Sequence, residues 1–316
     1  MKGLGIIAVV AGHTFSGTVK DFIFLFHMPL FFFIGGYLFK VKPNFKQYLN
    51  DKTIHLIVPY ICFLIIIYFP FHFLSIGALN SKNIMLYFIR PLVGGKYLFS
   101  YSSVFWFTTC FFFVQQFFNY IINKFQTNTL QIIILTMLLL SYLNSLFFPN
   151  FFLPWNAHVV LAALPIFYIG YLFNQKKYFI PFYIILIFLL IALAGFIFLK
   201  NNTYDMKYAN YGIPFLTLFS SIIIILFIKN LASIISRFKI IANPLIKLGN
   251  ASMVIMYLHV PIIILIEEHL NFNNYFIFIS STILSYLFYI IFSKFSITKF
   301  LLLGSKTDSE KIKFNY

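Results

Sequence analysis

Charge is scarce in this chain of 316 residues: charged side chains make up 9% of it, against about 25% in a typical soluble domain. Only 7 residues are Asp or Glu. With 61% of the chain hydrophobic, too little polar surface remains to cover a core. A soluble globular protein is therefore excluded, and so are a disordered chain and a coiled coil. The 2 cysteines, Cys62 and Cys110, each fall inside an apolar run. They give no disulfide framework, and thiols in such places are usually inert packing. Period-two alternation is missing, which argues against a membrane β-barrel. No internal repeat of the type carried by inverted-repeat transporters is visible. The first apolar run starts almost at Met1, with no evident cleavable signal peptide.

What the chain does have is aromatic and aliphatic side chains in long runs, with 46 Phe and 21 Tyr. Ten runs come close to the ~20 residues a spanning helix needs: 3–18, 22–39, 54–76, 99–122, 130–148, 157–173, 178–199, 211–229, 248–267 and 274–293. Lipid offers no partner for free backbone groups, so each is expected to be helical. The expected fold is an all-α, polytopic integral membrane bundle of about ten transmembrane helices. Residues 1–303 form a single membrane domain, and 304–316 form a polar, frayed cytoplasmic tail.

The net charge of +16 would raise a nucleic-acid hypothesis in a soluble protein. Here it belongs to the loops, where Lys and Arg set orientation. With the N-terminus in the cytoplasm, 17 of the 23 Lys and Arg fall on the cytoplasmic side and 6 outside. Both termini are therefore expected inside, in the cytoplasmic membrane, with membrane lipids and no nucleic acid as partners. The external loop 77–98 contains NIMLYFIRPLVGGKYLF, which reads as an interfacial helix before a Gly-Gly break.

Ionisable side chains inside spans are costly and mark function by default. His13 lies near the outer end of the first span and His27 near the outer start of the second, across a tight turn at Lys20 and Asp21. His259 also lies in the outer half of its span. Taken singly, each is as well explained by a helix–helix hydrogen bond. Metal binding lacks close i, i+4 ligand spacing and a carboxylate partner, so no metal is expected. His55, His72, His158 and His269 sit at span ends, as interfacial residues do.

The sequence around these histidines carries a resemblance. MKGLGIIAVVAGHTF places ten residues between Lys2 and His13, and FLFHMPLFFFIGGYLF follows. TIHLIVPY, VFWFTTCFF, LPWNAHVVLAALPIFYIGYLFNQKK and NPLIKLGNASMVIMYLHVPI come after in order. Together they resemble the acyltransferase 3 family of integral-membrane O-acyltransferases, in particular its fucose 4-O-acetylase-like members. The resemblance implies about ten spans with both ends inside. It implies no bound cofactor, acetyl-CoA as the cytoplasmic acyl donor, and a hydroxyl of an extracytoplasmic or lipid-linked glycan as acceptor. Lys2 and His13 match the family's basic residue and essential His, and His27 matches the His of its FHMPLFF element. Trp106 and His259 match recurrent positions. Relatives carry an Asp three residues before the basic residue, and a short lead-in. This chain opens at Met1 without them, as from a late start site. Many relatives also append an SGNH-type hydrolase domain, for which there is no room here, so transfer falls to the membrane domain.

Acyl transfer to a hydroxyl needs a base and oxyanion donors. A neutral imidazole is such a base, which makes His13 the expected catalytic residue, either as general base or as acyl carrier. Lys2 and His13 are separated by ~16 Å of helix rise, about half of the ~30 Å hydrocarbon core. Lys2 would meet CoA phosphates from the cytoplasm while His13 reaches the level of the acceptor, although positive-inside anchoring alone also explains Lys2. His27 and His259 would support. Trp106 and Trp155 would stack on sugar, or anchor at the interface, and Arg90 and Asn156 would contact the acceptor. The rival is a transporter or flippase of lipid-linked sugars. It calls for acids at mid-membrane, whereas the acids here cluster at span ends.

Overall fold

A computed structural model describes residues 1–74, 81–176, 178, 180–199 and 202–314. Lys177, Lys200 and the start of the 77–98 loop lie outside the described residues. In chain order the helices begin with α1 (Lys2–Thr14), α2 (Thr18–Phe24) and α3 (His27–Tyr37). Next come α4 (Phe45–Lys52), α5 (Val58–Phe63), α6 (Phe69–Leu74), α7 (Ser81–Val93) and α8 (Trp106–Lys124). Then follow α9 (Thr127–Phe147), α10 (Val160–Gln175), α11 (Phe182–Phe198), α12 (Leu216–Ile235) and α13 (Lys239–Asn250). The chain closes with α14 (Ser252–His269), α15 (Asn274–Phe292), α16 (Ser296–Leu303) and α17 (Lys306–Phe314). No strand occurs among the described residues.

Helices cover all ten expected spans. Among the described residues, 7 are long and apolar enough to cross a membrane: Thr18–Tyr37, Phe45–Phe73, Thr127–Phe147, Pro154–Gln175, Leu216–Ile235, Ser252–His269 and Asn274–Phe292. The other three expected spans are helical over Lys2–Thr14, Trp106–Lys124 and Phe182–Phe198. The first and last of these are shorter apolar helices. Trp106–Lys124 is long enough, but Thr108, Thr109, Gln115, Gln116, Asn119 and Asn123 dilute its apolar character. The length and hydropathy of the bundle are those of a multi-pass membrane protein.

Local chemistry explains the interruptions. The expected span 22–39 is broken at Leu25–Phe26, because Pro29 has no N–H to return to the Leu25 carbonyl. The helix restarts at His27, and the Leu30 amide bonds the Phe26 carbonyl at 2.8 Å. The segment Phe45–Phe73 contains two π-helical turns, Thr53–Ile57 and Leu64–Tyr68. Pro59 follows one and Pro70 the other. A widened turn removes the clash of a proline ring with the carbonyl four residues back. The Asn44 and Asn273 side chains cap α4 and α15 by accepting from the Gln47 and Phe276 amides.

The chain divides into two compact units. One comprises Met1–Val41, Phe117–Phe151 and His158–Ser252. Its tightest feature is the pairing of α3 with α10, where a Cβ on Gly36 would lie 1.8 Å from the Phe167 carbonyl oxygen. On the facing helix, a Cβ on Gly170 would lie 2.1 Å from the Phe33 carbonyl oxygen. The two helices touch backbone to backbone. The other unit comprises Lys42–Gln116, Phe152–Ala157 and Met253–Tyr316. Its aromatic core stacks Phe63 on Tyr257 at 4.5 Å, and the Tyr257 and Thr108 hydroxyls are 2.7 Å apart.

Three further observations bear on the expectations. The 77–98 loop does hold a helix, α7, ending at Gly94–Gly95. Trp155 (φ 58°) and Asn156 (φ 57°) are consecutive non-glycine residues in the left-handed region, a conformation that costs about 1–3 kcal/mol each and persists only where the surroundings hold it. Finally, the tail expected to fray is helical over Lys306–Phe314. Lys306 pairs with Asp51 at 2.7 Å, and the Ser305 hydroxyl accepts from the Asp308 amide at 3.3 Å.

Candidate functional site

Glycine brings α1 and α2 together at the level of His13. A Cβ on Gly12 would lie 2.8 Å from Ile23 Cγ2 and 3.2 Å from the Phe24 ring. That approach sets His13, in the last turn of α1, beside α2 and the start of α3. Its ring lies 6.5 Å from that of His27, nearly perpendicular at 88°. Phe24 completes the group, 5.7 Å from His13 and 4.6 Å from His27. The Lys20 ammonium stands 5.3 Å over the same Phe24 ring.

The two imidazoles are held differently. His27 is buried, and its Nδ1 lies 3.0 Å from the Ile23 carbonyl. A carbonyl only accepts, so the proton is on Nδ1 and the basic lone pair of the neutral ring is on Nε2. His13 is partly exposed. It sits at a helix C-terminus, whose partial negative charge favours a positive charge developing on the ring.

Lys2 occupies the opposite end of α1 and is exposed. A Cβ on Gly3 would lie 2.0 Å from the Leu245 carbonyl oxygen, and one on Gly249 would lie 3.1 Å from Lys2 Cβ. Helix α13, which carries Lys239 and Lys247, is thereby laid against the start of α1. The contact brings Lys2 to the end of α13, beside Gly249, which lies two residues past Lys247 in the chain.

The remaining expected site residues lie in the second unit. His259 is buried in α14, with its Nδ1 2.8 Å from the Ile255 carbonyl, the same i−4 bond that fixes His27. Trp106 is buried at the start of α8, while Trp155 is 41% exposed; of the two indoles, only Trp155 offers a face. Asn156 is buried, and its Oδ1 accepts the Lys96 amide at 2.9 Å. The Arg90 guanidinium lies 4.9 Å over the Phe99 ring. His72 and His158, expected at the interface, are both buried. Among the described residues, no group of three His, Cys, Asp or Glu is placed to hold a metal ion.

A polar feature that sequence reasoning passed over lies in the loop before α12. Asp205 bridges to Asn210, and Lys207 is buried. Burial pushes the Lys207 amine down to about 8, opposed by the Asp205 charge. Burial raises the Asp205 carboxyl, opposed by Lys207 and, at longer range, by Lys20. Lys207 holds its proton less firmly folded than unfolded, so stability should rise with pH between about 8 and the ordinary lysine value of 10.5. Melting temperatures of the detergent-solubilised protein should climb over that window. The climb should be absent in Lys207→Met.

The family model of the acyltransferase 3 family, an acyltransferase domain, matches residues 1–295. No curated protein and no solved structure matches the chain. A match over almost the whole length, on an all-helical membrane bundle with the paired imidazoles of α1 and α3, places it: the chain belongs to the acyltransferase 3 family and is a membrane acyltransferase.

Proposed function

We propose that this protein moves an acetyl group from cytoplasmic acetyl-CoA to a hydroxyl of an extracytoplasmic or lipid-linked glycan, in the cytoplasmic membrane. The observation that carries this reading is helix α1 itself. It has an exposed Lys2 beside α13 at one end and His13, 6.5 Å from His27, at the other. Ten spans with both termini inside fit the 17-to-6 asymmetry of Lys and Arg. That orientation puts Lys2, Lys239 and Lys247 on the donor's side.

The mechanism follows from these positions. Lys2 holds CoA phosphate, and the pantetheine arm runs along α1 to bring the thioester to the level of His13. His13 takes the proton of the acceptor hydroxyl as its oxygen attacks the acetyl carbonyl, and the C–S bond breaks to release CoA thiolate. His27 sits where it can support the developing charge. The thiolate then takes up the proton. Within the second unit taken by itself, Trp155 rather than Trp106 offers an exposed ring. Trp106 and His259 serve as buried supports, and Asn156 holds the loop.

Two measurements test this. Mass spectrometry of surface polymers with and without the gene should show loss of O-acetyl groups; unchanged acetylation of every polymer would overturn the assignment. With purified enzyme, Lys2→Ala should raise KM for acetyl-CoA about tenfold, the range of a hydrogen bond to a charged group. Lys2→Arg should keep most of the affinity, because phosphate attraction needs the charge more than the shape.

A further inference from the structure

We infer that the loop knot of the second unit, where Gly94–Gly95 meets Trp155–Asn156, is the binding site for the sugar diphosphate headgroup of a polyprenyl-linked glycan. This rests on the acyl-transfer reading above and names the acceptor class for it.

The knot is built from backbone that ordinary residues avoid. Gly94, Gly95, Ser100, Trp155 and Asn156 all have φ between 51° and 63°. A Cβ on Gly94 would lie 2.5 Å from Trp155 Cδ1, and one on Gly95 would lie 2.3 Å from Asn156 Oδ1. Thr109 fastens the other side by donating to the Trp155 carbonyl at 3.0 Å. So many contacts hold Trp155 in a conformation foreign to it, and strain maintained in this way points to function. The outcome is an indole with one face near Phe113, whose ring lies 6.0 Å away at 24°, and 41% of the residue exposed. Apolar ring faces of sugars stack on such a surface.

Charge and hydrogen bonding supply the rest. The Gly94 amide closes α7 on the Arg90 carbonyl at 2.8 Å, and the Lys96 amide bonds Asn156, so both cations are tied to the knot. Arg90 lies over Phe99 and Lys96 lies 4.9 Å over Phe152. Neither has a carboxylate partner among the described residues. Two positioned, unneutralised cations beside an exposed indole call for an anion attached to a sugar. The Tyr60 hydroxyl, on a residue 95% buried, points at Gly94 and has no hydrogen-bond partner. A buried donor without an acceptor is costly unless a ligand supplies one. The lipid is implied by α7, which turns Ile84, Met85, Phe88, Ile89 and Leu92 outward in one row. That row lies along the helix that delivers Arg90, as a prenyl chain lies along its own headgroup.

The test is a binding measurement on the whole protein in nanodiscs, independent of acetyl transfer. The chain has 2 tryptophans, so the difference in fluorescence between the parent protein and Trp155→Phe reports on Trp155 alone. The probe is farnesyl-diphosphate-linked N-acetylglucosamine. It should quench the Trp155 signal saturably. Arg90→Gln with Lys96→Gln should weaken Kd at least tenfold, and Tyr60→Phe, which removes only an unpartnered hydroxyl, about threefold to tenfold. Farnesyl diphosphate without sugar should bind without quenching. Absence of quenching, an unchanged Kd in the double variant, or equal quenching by the sugar-free lipid would each overturn the proposal. A protein that binds the probe as described but transfers no acetyl group to any glycan would refute the proposed function and leave this site standing.

Discussion

His13→Ala is expected to lower acetyl transfer by about 10²–10⁴, the usual contribution of a general base, while the protein still inserts and folds. The ring is partly exposed and meets Phe24 and His27 edge-on, so its removal leaves little unfilled space. His13→Gln should fail as badly, since an amide keeps a hydrogen bond but takes no proton near neutral pH. His27→Ala should cost less, because His27 is held by the Ile23 carbonyl as a support. The assay is transfer by purified variants normalised to folded protein. A loss below tenfold in His13→Gln would make His13 a structural residue and overturn its role as base.

The second large effect concerns folding. Gly36→Ala and Gly170→Ala would each push a methyl group to within 1.8 and 2.1 Å of a backbone carbonyl oxygen on the facing helix. Backbone cannot yield as a flexible side chain does, so α3 and α10 must separate. Overpacking costs typically 1–3 kcal/mol, and contact at this range belongs at or beyond the upper end. Melting in detergent should fall by about 4 °C or more, and transfer should fall with it, since α3 carries His27. Gly195→Ala is the control. Its nearest neighbours stand at 3.7 and 3.9 Å, and mid-helix alanine should stabilise by up to about 1 kcal/mol. A melt that drops as far for Gly195→Ala as for Gly170→Ala would refute the backbone-contact argument.

These two cases also show where the sequence was legible. Hydropathy located a helix in every expected span because lipid leaves the backbone no alternative, a constraint that acts residue by residue. The closeness of His13 and His27 was legible too, being set by a short turn. The break ahead of His27 was missed, since Pro29 reads as part of a long apolar run until the missing N–H is counted. The placement of Lys2 on α13 was out of reach, because it depends on Gly3 meeting Leu245, a contact that no local pattern announces. The tail misled for a related reason. Its polar composition reads as frayed, but Asp51, far away in the chain, holds Lys306. The bond from the Lys96 amide to the Asn156 oxygen was equally out of reach, because it joins segments 60 residues apart.

The two π-helical turns of Phe45–Phe73 carry a consequence for descent. Such a turn is what remains when one residue has been inserted into a helix and the helix has absorbed it rather than broken. Each insertion rotates everything beyond it by about 100°, the angle per residue of a 3.6-residue turn. A sister lineage without the second insertion would present a different stripe to the core from Phe69 onward, with His72 turned away from Ser102, which it now meets at 3.1 Å. Alignments of relatives should therefore show one-residue gaps at 53–57 and 64–68. The gap at 64–68 should travel with the identity of the residue at position 72.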